Sequence, residues 1–100
     1  MNKTHILAIG RNVPILQTVV RLINNNPAWQ GTGAVTNAEA IAAFGSGSFK
    51  LVLLCGGISE PEEQELRLAF VAHNPAIIIV QHYGGGSGLL SAEIFQAIGV

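Results

Sequence analysis

Apolar residues along this chain follow two rhythms. Short unbroken runs, such as HILAIG at 5–10, LVLL at 51–54 and AIIIV at 76–80, alternate with stretches in which apolar residues recur at helical spacing. The runs read as strands buried on both faces, and the periodic stretches as helices with one buried stripe. Residues 5–10 make a first strand. Asn12 caps the next helix, Pro14 sits in its first turn where a missing N–H is tolerated, and Val13, Leu16, Val19, Val20 and Ile23 share one face. Asn24-Asn25-Asn26-Pro27 stops it. A second strand, WQGTGAV at 29–35, is weakened by its two glycines. TNAE at 36–39 has the form of a capping box, and a short helix, AEAIAAF, runs to Gly45.

The pattern then repeats. Residues 49–55 form a third strand, and SEPE at 59–62 is a second capping box. Its helix continues to Asn74-Pro75 and carries Glu60, Glu62 and Glu63 in the first turn, the sign that suits the positive end of a helix dipole. AIIIV makes the fourth strand, QHYGGGSG a loop, and LLSAEIFQAIG a last helix. Strands and helices in strict alternation predict an α/β fold: three layers, a parallel sheet between helices, right-handed crossovers. One domain over 1–100 accounts for the length, since no repeat or linker interrupts it.

Composition narrows the function. Hydrophobic residues make up 49% and charged residues 11%, which excludes disorder. Net charge is −1 with the five Lys and Arg scattered, so a nucleic-acid surface is not expected. No apolar run reaches the roughly 18 residues of a membrane span. MNKTHILAIG is too short in its apolar part for a signal peptide, and a single cysteine cannot staple its own chain; a cytoplasmic protein is expected. The six acids are all glutamates, so chemistry that requires an aspartate is excluded.

Three segments, GAVTNAEAIAAF, FKLVLLCGGISEPEE and NPAIIIVQHYGGG, resemble the stretches around strands 2, 3 and 4 of response-regulator receiver domains. The resemblance implies a flavodoxin-like sheet, with strands in order 2-1-3-4 and the family's fifth strand and helix absent. It also places Cys55 where that family has its phosphoaccepting aspartate. Gly10 and Arg11 stand at the acidic pair that holds magnesium, and Gln81 at the hydroxyl residue ending strand 4. Aspartyl phosphorylation needs a carboxylate nucleophile and a hard cation on oxygen ligands, and a thiol beside Arg11 supplies neither. The expectation is a pseudo-receiver without catalytic residues, metal or cofactor. Losing strand 5 leaves strand 4 as a bare edge and uncovers part of one face. Self-association, or a partner protein, is therefore expected on the strand 4 edge, the Gln81–Gly88 loop and the last helix, which carries Leu89, Leu90, Ile94, Phe95 and Ile98.

Several residues have more than one reading. Cys55 is a small buried residue filling the place of a lost aspartate, a thiol activated by Arg11 and the helix from Ser59, or a metal ligand with His82. His82 is a solvent-exposed loop residue or the base of a thiol dyad that lacks an orienting third group. GGGSG before a helix can hold an anion through backbone N–H groups. Arg11, Cys55, Gln81, His82, Gly85, Gly86 and Ser87 are thus the candidate residues of a small-ligand or anion sensor. Tyr83 is either a lid or a contact for a partner. Trp29 is expected at the rim of the core, and the glutamates of EPEEQE on a solvated helix start. Three functions follow: an interaction module, a ligand sensor and a thiol enzyme centred on Cys55.

Overall fold

The computed structural model describes residues 3–82 and 87–98. Its elements are β1 (Thr4–Ile9), α1 (Val13–Asn24), β2 (Trp29–Ala34), α2 (Asn37–Ser46), β3 (Leu51–Leu54), α3 (Glu60–His73), β4 (Ile78–Gln81) and α4 (Ser87–Ile98). The four strands form one parallel sheet in the order β2-β1-β3-β4, with Ile6 opposite Leu51 and Leu51 opposite Ile78. The α/β architecture agrees with the sequence pattern, and the strand order with what the resemblance implied.

The sheet is apolar on both sides because each strand feeds two cores. Ile6, Ala8, Leu51 and Leu53 point to the face covered by α1 and α4, where Leu16, Val19, Ile23, Leu90 and Ile94 meet them. Leu7, Ile9, Val52 and Leu54 point to the other face and pack against Ala40 and Phe44 of α2 and Leu66 and Phe70 of α3. Two of the three caps read from the sequence close on a backbone N–H: the Asn12 side chain accepts from Ile15 N–H, and the Thr36 side chain from Glu39 N–H.

Strand boundaries shift by the need for a ladder partner. β4 starts at Ile78 rather than Ala76, because β3 offers only Leu51–Leu54 to pair with. Phe49 lies outside β3 and turns into the core, its ring 6.0 Å from that of Phe44. Trp29 is in the core rather than at its rim, 3% exposed, with its ring 4.9 Å from Phe95.

The largest correction concerns α4. A right-handed crossover to a further strand beyond β4 would carry this helix over the face already occupied by α3. No such strand follows among the described residues, and α4 instead folds back beside α1. Leu90 and Ile94, expected to be offered to a partner, are 2% and 0% exposed in the chain's own core. Ile98, partly buried, packs against the same cluster, Phe95 is 37% exposed, and the side chain of Leu89 lies outside what is described. The α1 face of the sheet is therefore covered, contrary to expectation. β4 remains an edge, all four of its residues half-buried.

Candidate functional site

Strand alternation continues past the last paired residues and decides where the site residues go. Leu54 belongs to the α2–α3 core and Cys55 to the α1–α4 core. On the neighbouring strand, Gln81 reaches α3, donating from Nε2 to Glu63 Oε1 at 2.6 Å, while His82 turns toward α4. Cys55 and His82 are thus successive neighbours on one side of the sheet, fixed by Cys55 N–H to Ile9 O (2.7 Å) and His82 N–H to Leu54 O (2.9 Å). They line one small cavity of about 140 Å³. No hydrogen bond joins their side chains.

His82 is not a solvent-exposed loop residue. It is 7% exposed, and its Nδ1 lies 2.5 Å from Glu93 Oε1 on α4. Eleven residues separate the two along the chain, and only the fold-back of α4 makes them neighbours. A carboxylate on Nδ1 fixes the ring's orientation. The orienting group that no sequence neighbour identifies for His82 is therefore Glu93. A metal is a different matter: no cluster of three or more His, Cys, Asp or Glu side chains among the described residues is arranged to hold one.

Cys55 is 7% exposed, and its thiol is pushed up to about 11, first by burial and then by the nearby Glu93 carboxylate. The thiol is therefore protonated at neutral pH, the opposite of the activated thiolate weighed above. Arg11 does not lower it because its guanidinium faces away. Nη1 donates to Val35 O at 2.6 Å, and Nη2 donates to Asn37 Oδ1 at 2.5 Å and stands 3.2 Å from Glu62 Oε2. Asn37 extends this network through Nδ2 to Glu65 Oε1 at 2.6 Å and to Glu62 O at 3.2 Å.

The glutamates of EPEEQE are accordingly more than a solvated helix start. Glu62 Oε1 accepts from Ser59 N–H (3.1 Å) and Ser59 Oγ (2.8 Å). These bonds hold its carboxyl below the usual carboxylate range, and Arg11 adds to the effect. Glu63 also accepts from Arg67 Nε at 2.7 Å. Two glycines set the floor. A Cβ on Gly10 would lie 3.0 Å from Cys55 Cβ, and Gly57 has φ +89°, a left-handed conformation that favours glycine.

The structure brings Arg11, Cys55, Gln81 and His82 to one edge of the sheet but divides them among separate partners. Gly85 and Gly86, with Tyr83 and Gly84, lie outside the described residues; Ser87 is described only as the start of α4. A signal for Glu93 was present in the sequence, as the single acid in an otherwise uncharged last helix.

No family model matches the sequence, and no curated protein resembles it closely enough to count as a relative. Solved structures do resemble it in fold. A CheY-like response-regulator receiver domain from Methanospirillum hungatei aligns with a TM-score of 0.68 at 20% identity, over 92% of this chain and 75% of that one. A signal receiver domain of an HD-domain protein from Pseudomonas fluorescens gives 0.70 at 16%, over 99% and 78%. A chain assigned to pilus assembly (CpaE) from Burkholderia thailandensis gives 0.71 at 12%, over 97% and 99%. The fold is receiver-like; at these identities the likeness carries the fold and no further.

Proposed function

We propose that this chain is a receiver-like signalling module that works by docking through the open edge of β4, and that it transfers no phosphoryl group. The whole of 1–100 acts as one unit in this reading. One observation carries it: the two edges of the sheet are finished differently. On β2, the outward N–H of Gly31 is closed by Asn24 Oδ1 at 2.8 Å. On β4, no side chain among the described residues caps a backbone group of Ile78, Ile79 or Val80. Such an edge is a template for another strand. A second copy pairing edge to edge about a two-fold axis is the simplest occupant.

The chemistry supports the other half of the proposal. No aspartate is available, and the thiol in the expected phosphoacceptor position is neutral and buried. The Arg11 guanidinium already supplies a positive charge to α2 and α3, a charge that binds without a metal. Signal receiver domains among the structural neighbours agree with a signalling role.

Sedimentation equilibrium over a wide concentration range tests the proposal. The expected result is a mass rising above the 10.5 kDa of one chain, with the amides of Ile78–Val80 gaining hydrogen-exchange protection in step. A constant mass would reject self-pairing through this edge.

A further inference from the structure

The loops leaving β1 and β3 diverge, because α1 takes the chain back toward β2 while α3 takes it on toward β4. Open parallel sheets hold ligands in the crevice that such a divergence creates. Here the crevice is a cleft of about 470 Å³ between residues 10–12 and 55–57, walled by Ile15 and Leu16. Small-molecule sites typically span about 300–1,000 Å³. We infer that this cleft binds a small, uncharged, largely apolar molecule, an aromatic ring with at most one polar group, seated against the Cys55 thiol. This binding is independent of docking through β4.

Charge, floor and space each point to that ligand class. Arg11 is the single charged residue of the lining, and its guanidinium is bound to Val35, Asn37 and Glu62 instead of facing the cleft. An anion would find no free cation there. The floor is Cys55, more than nine-tenths buried in the apolar core, whose thiol makes no hydrogen bond to a described residue and offers a soft, weakly polar surface. A neutral thiol suits an uncharged guest. Space is left over Gly56, where an added Cβ would meet nothing within 4 Å. Beside it Ile15, 57% exposed, gives the cleft a large apolar wall.

The test titrates the labelled full chain with indole and, separately, with inorganic phosphate, below any concentration at which its mass rises. Indole is expected to move the amides of Gly10, Ile15, Cys55 and Gly56 saturably, while phosphate leaves them in place. Gly56→Val fills the open space without backbone strain and is expected to weaken indole binding by about tenfold or more, some 1.4 kcal/mol. Phosphate shifts without indole shifts would overturn the inference. So would indole shifts scattered over exposed apolar residues such as Leu68, or unchanged affinity in a folded Gly56→Val variant. The mass measurement stands apart from all of these, so either proposal can fail alone.

Discussion

Cys55 shows how a position in the fold and a chemical role come apart. Its place at the tip of β3 follows from the LVLL run before it, but its reactivity follows from what packs around it. Burial and Glu93 both disfavour the thiolate, so alkylation by iodoacetamide should stay slow through neutral pH and accelerate only toward pH 11. The same shift makes stability depend on pH. In the unfolded chain the thiol ionises near 9.0, whereas the folded state keeps its proton to about 11. The folded state binds more protons between those values, so stability is fully present below about 9 and falls as pH rises from there, by roughly 2–3 kcal/mol in all. Thermal melts across this window should show the decline in the parent chain and lose this part of it in Cys55→Ala. Sequence alone offered the buried reading of Cys55 beside two others, but it could not place Glu93 next to the thiol.

At the scale of elements, the network around Arg11 joins three of them. Its guanidinium ties the β1–α1 loop to the end of β2 and to the first turns of α2 and α3. Hydrogen bonds to a charged group contribute about 1.5–3 kcal/mol each when the partners would otherwise be left unpaired, though partial exposure here lowers the figure. Arg11→Ala should cost about 1–3 kcal/mol in denaturant unfolding. Arg11→Lys should recover only part of it, since an ammonium lacks the planar fork that reaches Val35 O, Asn37 Oδ1 and Glu62 Oε2 together. The Asn12 and Thr36 caps, the Ser59–Glu62 box and the dipole-matched glutamates were legible, because they depend on neighbours within one turn; the Thr36 box forms only by half, its Glu39 carboxylate accepting from Val35 N–H instead. The tie from Asn37 to Glu65 was not, because those residues lie 28 positions apart and meet only when α2 packs on α3.

At the scale of the molecule, α4 decides how the sheet is closed. It contributes Leu90 and Ile94 to the core and holds His82 through Glu93. Truncating a buried Leu or Ile side chain costs about 2–5 kcal/mol, so Ile94→Ala should lower stability by that amount. The chain's one tryptophan reports on the same event, because the Trp29 ring packs, tilted, with its centroid 4.9 Å from that of Phe95 of α4. Its emission should shift to the red if α4 lifts away in the Ile94→Ala variant, and stay unchanged if only the local packing loosens.

The sequence by itself determined the number, type and order of the elements, their caps and the absence of an aspartate. Those depend on residues close together in the chain, where hydrophobic period and hydrogen-bonding chemistry act directly. Tertiary structure alone decided which face α4 covers, which way Arg11 turns, and that His82 is buried against Glu93. Each of these is a choice among distant partners, settled by where apolar surface can be removed from water and where a buried polar group finds its pair.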